Sequence, residues 1–534
     1  MDYYYQRDRC PELDGEDRII DTTSSNIRKF FRGTNIFVTG GAGFLGSLLI
    51  EKIGRSCPDF GKIYLLLRSK RGLTPSERLD KLFDDEIFNR LKKENPGFRS
   101  RVFLMEGDLN EPQCGLSQEN LNIIRDEVNI IYHNAACLRM TEPLKNAYHM
   151  NVRATKDLLD LGTEMKHLKA FIYTSTAYSN CFRPDISETF YSTTYNWENL
   201  RDLVERMPEE DLDYFTPKLV GPWVNTYAFT KAIAEDMIKS YVGRIPVAIA
   251  RPSIVIGCVE EPLKCWINNV YGSVGVSAGA CVGIIRVWYA DYDKVADIIP
   301  ADYVVNTMIS IASQLDDNQQ GKVHLEPPIF NIVSSPKAPT TWGEHMRDSF
   351  IPAKKSKITT RKSIGEFAFV LVRKKWLFSV LFIILHLSQG LLVDTLLYLN
   401  GKSPQLVKGY IKIMRFNMQL SFFCEREWTY EQPNVDAMLE RMSEVDKRLF
   451  PFDMTSFNWK KYHECSTRAI FKYIVKSKDC ENQKPAHDHY RRFLTVRQYI
   501  VRAVKIVVVY GVLKMSQTGL NNMMLFLSRD VQGK

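Results

Sequence analysis

From Asn35 onward the chain alternates short apolar runs with longer amphipathic stretches. Ile36-Phe37-Val38, Ile63-Tyr64-Leu65-Leu66-Leu67, Val102-Phe103-Leu104, Ile130-Ile131-Tyr132, Phe171-Ile172-Tyr173 and Val247-Ala248-Ile249 are each three to five residues long. Runs this short and this continuously apolar suit strands buried on both faces. The intervals between them, about 20 residues or more, are long enough for crossover helices. The pattern predicts an α/β fold, a doubly wound parallel sheet with helices on both faces.

The back third reads differently. Trp376–Val393 is a run of 18 uncharged residues preceded by Arg373-Lys374-Lys375. Its length just reaches what a bilayer-spanning helix needs, and Ser379, His386, Ser388, Gln389 and Gly390 interrupt its apolar character. A span and a buried or surface-lying helix both fit. Ile506–Leu513, flanked by Arg502, Lys505 and Lys514, and Met523–Leu527 are too short to span alone and together suggest a membrane hairpin or a surface-lying helix.

Charge sharpens this division. Residues 1–360 hold 43 Lys/Arg against 47 Asp/Glu, while 361–534 hold 28 against 15. A near-neutral front and a basic back disfavour a nucleic-acid footprint and favour a soluble catalytic part joined to something that meets an anionic surface. Eleven scattered cysteines without a Cys-x-x-Cys pair give no zinc or disulfide framework, and the first 30 residues hold no apolar run that would read as a secretory signal. The catalytic part is expected to face a reducing compartment. His487 and His489 lack a partner cluster and read as surface residues, so no metal site is expected.

Candidate chemistry begins directly after the first strand. Thr39-Gly40-Gly41-Ala42-Gly43-Phe44-Leu45-Gly46 opens a helix expected to run to about Ile53. Gly40 allows the tight turn, Gly43 lets the backbone approach a pyrophosphate, and Gly46 lets helix pack closely on strand. The phosphates would sit at the helix N-terminus. The second strand ends Arg68-Ser69-Lys70-Arg71, with no carboxylate to accept from a ribose 2′-hydroxyl. Arg68 and Arg71 could instead pair with a 2′-phosphate, which selects NADPH. Asp108 and Leu109 after the third strand, and Asn134-Ala135-Ala136 after the fourth, complete the expected dinucleotide contacts.

Tyr173-Thr174-Ser175-Thr176-Ala177-Tyr178 follows another strand, and Tyr227-Ala228-Phe229-Thr230-Lys231 opens a helix expected over Ala228–Tyr241. Tyr227 and Lys231, four apart, share a helix face. An ammonium beside a phenol lowers its pKa and makes Tyr227 a proton donor to a nascent alkoxide. The Gly-rich stretch Tyr271–Gly283 reads as the lining of an acyl channel, a lid, or a tight packed loop.

Thr39–Gly46, His133–Ala136, Ser175–Tyr178, Tyr227–Lys231, Ala250-Arg251-Pro252-Ser253, Ile299–Asn306 and Ile329-Phe330-Asn331 together resemble the fatty acyl-CoA reductases, membrane-associated members of the extended short-chain dehydrogenase/reductase superfamily with a Rossmann sheet. The stretch from His386 past Gly401-Lys402 to Phe457-Asn458-Trp459 resembles their helical C-terminal domain. The resemblance implies that Tyr227 is the proton donor, that Lys231 tunes it and holds the nicotinamide ribose, and that Pro252 lines the cofactor. Thr176 is expected to polarise the carbonyl, with Ser175 the alternative. It implies a polar extension over 1–34, an NADPH-binding reductase domain over 35–360, and a helical C-terminal domain over 361–475 with a membrane segment at 376–398. A basic, apolar tail occupies 476–534. The expected reaction is NADPH-dependent reduction of a long-chain fatty acyl-CoA, through the aldehyde, to the primary alcohol. Long-chain acyl-CoA and membrane lipids are the partners, no nucleic acid is expected, and homo-oligomerisation is left open. A peroxisomal or endoplasmic-reticulum membrane is the expected location. The rivals are a hydroxysteroid dehydrogenase, a nucleotide-sugar epimerase, and a nucleotide-binding membrane scaffold without turnover.

Overall fold

The six apolar runs, joined by a seventh, form one parallel sheet in this computed structural model, which describes residues 22–319, 327–356, 360–363 and 368–477 and the single positions 488, 491, 492, 495, 499 and 514. The strands are β1 (Ile36–Thr39), β2 (Ile63–Leu67), β3 (Val102–Glu106), β4 (Ile130–His133), β5 (Ala170–Thr174), β6 (Val247–Pro252) and β7 (Ile329–Ile332). Their spatial order is β7-β6-β5-β4-β1-β2-β3. β1 lies between β2 and β4, with Thr39 level with Leu66 on one side and His133 on the other. The strand order reverses there, so the crevice for a ligand opens beyond the carboxyl ends of β1 and β4.

Six of these strands, β1, β2, β4, β5, β6 and β7, are buried at every position. β3 departs from the expectation of burial on both faces: Phe103 is 41% exposed. It is one edge of the sheet and keeps part of one face toward solvent, whereas β7 at the other edge is buried at every position.

After β1 the chain enters α1 (Phe44–Ser56), slightly longer than expected. The catalytic candidates Tyr227 and Lys231 lie on α2 (Thr226–Ile238), whose N-cap Asn225 accepts a hydrogen bond from the Ala228 amide. A 3₁₀ turn, Lys239–Tyr241, finishes the expected span. The Gly-rich stretch forms a helix, Ser273–Cys281, and not a loop. A Cβ at Gly275 would sit 2.2 Å from the Val270 carbonyl oxygen and one at Gly279 2.6 Å from the Ile285 side chain, so these glycines are demanded by packing.

Two compact units emerge. One comprises, among the described residues, those up to Ile267, Asp293–Trp342 and Phe422–Trp459, and contains the seven-stranded sheet. The other comprises, among the described residues, Asn268–Tyr292, Gly343–Ser421 and those from Lys460 onward. Its core gathers Val287, Tyr289, Val372, Phe378, Phe382 and Tyr410. The polar extension up to residue 21, His487, His489, Ile506–Leu513 and Met523–Leu527 lie outside the described residues.

Candidate active site

The glycine turn is built as its spacing demands. Gly40 has φ +73°, and a Cβ there would come within 2.8 Å of the Ala135 amide nitrogen. A Cβ at Gly46 would come within 2.2 Å of the Gly40 carbonyl oxygen. Gly43 is the N-cap of α1 and has no side chain to cap the helix, which leaves the first-turn amides around Phe44, Leu45 and Gly46 to an anionic ligand. Gly46→Ala would force helix and turn apart. Overpacking of this kind costs typically ~1–3 kcal/mol. The expected result is a loss of cofactor affinity of about fivefold or more, read by fluorescence titration.

Thr39 serves the frame. Its hydroxyl lies 2.7 Å from His133 Nδ1 and accepts from the Ala135 amide at 3.2 Å, and His133 Nε2 meets the Thr155 hydroxyl at 3.0 Å. Burial, with Lys231 nearby, pushes the His133 imidazole down to about 3, so it bridges β1 to the helical layer as a neutral group. Asn134 Oδ1 accepts from the Thr174 hydroxyl at 2.6 Å, while its buried Nδ2 has no protein partner. Ala135 and Ala136 are half-buried at the crevice.

At the end of β2, Arg68 Nη1 pairs with Asp108 Oδ2 at 2.8 Å. Burial would raise the Asp108 carboxyl, but the Asn110 amide and Arg68 hold it below the ordinary range. Leu109 beside it is buried. Arg71, at φ +56°, lies in the turn closed by the Lys70 and Leu73 bridge. Lys70 is lowered by burial and then by Arg78, Arg68, Arg71 and Arg139. Arg78 and Arg139, which the sequence reading did not select, thus add to this concentration of positive charge. Arg78 also donates to the Arg68 carbonyl.

The hydroxyl candidates are separated by their partners. Ser175 Oγ donates to buried Glu235, which also forms a 2.6 Å ion pair with fully buried Arg251. Thr176 Oγ1 accepts from the Tyr178 amide at 3.3 Å and lies close enough to the Tyr227 phenol to lower its pKa. The Ala177 amide donates to the Pro252 carbonyl at 3.0 Å, so this turn leans on the end of β6. Asn151, in the π turn His149–Arg153, brackets the backbone of Cys137 and donates to Thr230 on α2 at 3.0 Å.

Lys231 corrects one expectation. Its ammonium donates to the Thr174 carbonyl at 2.6 Å and lies 4.5 Å from the Tyr173 ring centre. Burial lowers it to about 7, opposed by the Glu235 carboxylate. Burial also pushes the Tyr227 phenol up to about 12, against the lowering effect of Thr176. The phenol is not acidified by its helix-face neighbour here: Lys231 is bonded to the Thr174 carbonyl. It remains a protonated donor throughout the neutral range.

No group of three or more His, Cys, Asp or Glu side chains suited to a metal is present among the described residues. One helix among them, Lys375–Leu399, is long and apolar enough to cross a membrane.

Two family models, both described as male sterility protein, match residues 38–308 and 385–477, the first being an NAD-binding model. Fatty acyl-CoA reductase wat of Drosophila melanogaster is 35% identical over 480 residues, covering 90% of this chain and 91% of the relative. Fatty acyl-CoA reductase 1 of Homo sapiens is 32% identical over 475 residues, covering 88% and 90%. The terminal R domain of the myxalamid biosynthetic pathway shares the fold with a TM-score of 0.55 at 19% identity, over 84% of this chain and 92% of that one. The reductase domain of a Mycobacterium tuberculosis nonribosomal peptide synthetase does so at 0.54 and 15% identity, over 84% and 96%.

Proposed function

The chain belongs to the fatty acyl-CoA reductase family, and from that premise we propose that it reduces a long-chain acyl-CoA with NADPH, through the fatty aldehyde, to the primary alcohol with release of CoA. It is an oxidoreductase that uses a nicotinamide cofactor. The observation that carries the reading is Thr176, just past the end of β5 and close enough to the Tyr227 phenol on α2 to lower its pKa, with the glycine turn of the same sheet opening onto the crevice.

The residues fit a dinucleotide. Gly40, Gly43, Phe44, Leu45 and Gly46 would take its pyrophosphate, Asp108 and Leu109 its adenine end, and Ala135, Ala136 and Pro252 its path across the strand ends. The orphaned Asn134 Nδ2 has a donor to offer there. Arg68, Arg71 and the neighbouring cations would meet a 2′-phosphate. When bound, NADPH supplies hydride.

The remaining chemistry falls to the chain. Thr176 and Tyr227 donate to the thioester carbonyl and stabilise the oxyanion that forms there. Collapse of that oxyanion breaks the carbon–sulfur bond and expels CoA thiolate. In the second round the aldehyde oxygen occupies the same donors, and Tyr227 transfers its proton to the alkoxide, a stronger base than phenolate. Lys231, which donates to the Thr174 carbonyl, would hold the ribose. Membrane lipids of a peroxisome or endoplasmic reticulum would receive the alcohol.

Cofactor choice has its own test. A hydrogen bond to a charged group is worth ~1.5–3 kcal/mol, so Arg68→Ala should reduce the preference for NADPH over NADH roughly ten- to hundredfold. The ratio of kcat/KM for the two cofactors reads it, and an unchanged ratio removes Arg68 from the 2′-phosphate site. The function itself is tested by acyl-CoA-dependent NADPH oxidation with identification of the lipid product. A steroid or nucleotide-sugar substrate turned over in preference would replace it with a rival reading.

A further inference from the structure

The apolar helix Lys375–Leu399 carries two incompatible-looking faces. Phe378, Phe382, His386, Gly390 and Asp394, spaced by four, are buried. A spacing of four drifts about 40° per step around a regular α-helix, and the extra residue of the π turn Ile383–Leu387 takes much of that back. The buried stripe therefore stays on one side along the whole element.

That stripe is bonded into its own unit by polar contacts. His386 Nε2 accepts from the Arg286 amide at 3.0 Å, and Gln389 Oε1 from Arg286 Nη1 at 2.7 Å. Asp394 accepts from the amides of Gln405, Leu406 and Val407 at 2.9–3.0 Å and so caps the following helix, Leu406–Cys424. Tyr410 of that helix packs against both His386 and Gly390.

The opposite face is open and apolar. Ile384 is 54% exposed and Leu391 63%, with Ile383, Leu392 and Leu396 also exposed. Trp376 at one end is 64% exposed and Tyr398 at the other 71%. Exposed Lys374 precedes the helix, exposed Lys375 opens it and exposed Lys402 follows it. Its only acidic residue, Asp394, is buried.

We propose that Lys375–Leu399 does not cross a membrane but lies in the plane of an anionic phospholipid surface, with the Ile384/Leu391 face among the upper acyl chains. Charge decides between the two placements. Lys408 and Lys412 are exposed and flank Tyr410, the residue that touches the middle of the apolar helix. A spanning orientation would carry both to mid-bilayer, where each lysine costs ~2.5–3.5 kcal/mol. It would also sink the two-stranded pairing of Val370–Val372 with Val287–Tyr289, an open sheet edge that hydrocarbon does not tolerate. Lying flat, the helix buries its open face, keeps Trp376 and Tyr398 at headgroup level, and leaves the lysines in reach of lipid phosphates. A basic partner surface is excluded by like charge, and a soluble protein partner is the competing outcome in the test.

The experiment uses the full chain bound to sealed phosphatidylcholine/phosphatidylserine vesicles. Lys374→Cys and Lys402→Cys report the two ends through an impermeant maleimide, with the parent chain as baseline for the native cysteines. Ile384→Cys and Leu391→Cys carry an environment-sensitive fluorophore, read against lipids bearing quenchers at shallow or deep positions. Both ends are expected to label from the outside without detergent, within about twofold of each other, and both fluorophores to be quenched more by the shallow lipid. Protection of one end until detergent is added overturns the proposal in favour of a span. Accessible ends with no lipid quenching overturn it in favour of a protein partner on that face.

Discussion

Replacing Tyr227 with phenylalanine should lower turnover with acyl-CoA by roughly 10²–10⁴-fold, the range for loss of a positioned proton donor, while leaving NADPH affinity within about twofold of the parent chain. The two effects separate because the phenol stands on α2 near Thr176 and not in the glycine turn. Phenylalanine keeps the ring, so the packing of α2 is preserved. Single-turnover measurement with the fatty aldehyde isolates the second reduction. An alcohol-forming rate equal to that of the parent chain would remove Tyr227 from the mechanism.

Glu235→Ala is expected to give the largest loss of stability among single substitutions near the site. Arg251 has no exposed surface, and Glu235 holds it by both oxygens, at 3.0 Å to Nε and 2.6 Å to Nη2. Without the carboxylate, the guanidinium keeps the carbonyls of Ser187 and Thr189 as its recorded partners. An uncompensated buried charge costs ~3–5 kcal/mol. Thermal or denaturant unfolding of the purified variant reads the loss. A midpoint indistinguishable from that of the parent chain would mean that the pair contributes nothing to the fold. Ser175 loses its acceptor in the same variant, so the strand end that carries Thr176 is weakened as well.

Much of this arrangement was legible beforehand, for identifiable reasons. Strands such as β1, β4 and β5 are buried on both faces, and full burial is what makes an apolar run continuous. The glycine turn was legible because close approach leaves glycine as the residue that fits at Gly40 and Gly46. β3 was misjudged because exposure of one face depends on what packs over it, which a run of three apolar residues does not encode: β7, at the other edge, is buried throughout. The helix Ser273–Cys281 was hidden by its own glycines, which discourage helix locally yet are required by Val270 and Ile285.

Within the site, residue types were easier to find than their partners. Tyr227 and Lys231 share a helix face, but spacing could not show that the Thr174 carbonyl would claim the ammonium. Glu235 was missed although it continues the same series, four residues beyond Lys231. A buried acid one turn farther along, facing the arginine of the β6 strand, was the available signal. Arg78 and Arg139 gave none, because their convergence on Lys70 depends on tertiary structure.

The most direct measurement is the stoichiometry of the purified chain acting on palmitoyl-CoA with NADPH, with CoA thiol and lipid product followed together. Four electrons separate a thioester from an alcohol, so two NADPH should disappear for each CoA released, and hexadecanol should accumulate. NADPH oxidation that does not depend on acyl-CoA, or CoA release with no alcohol formed, would contradict the account.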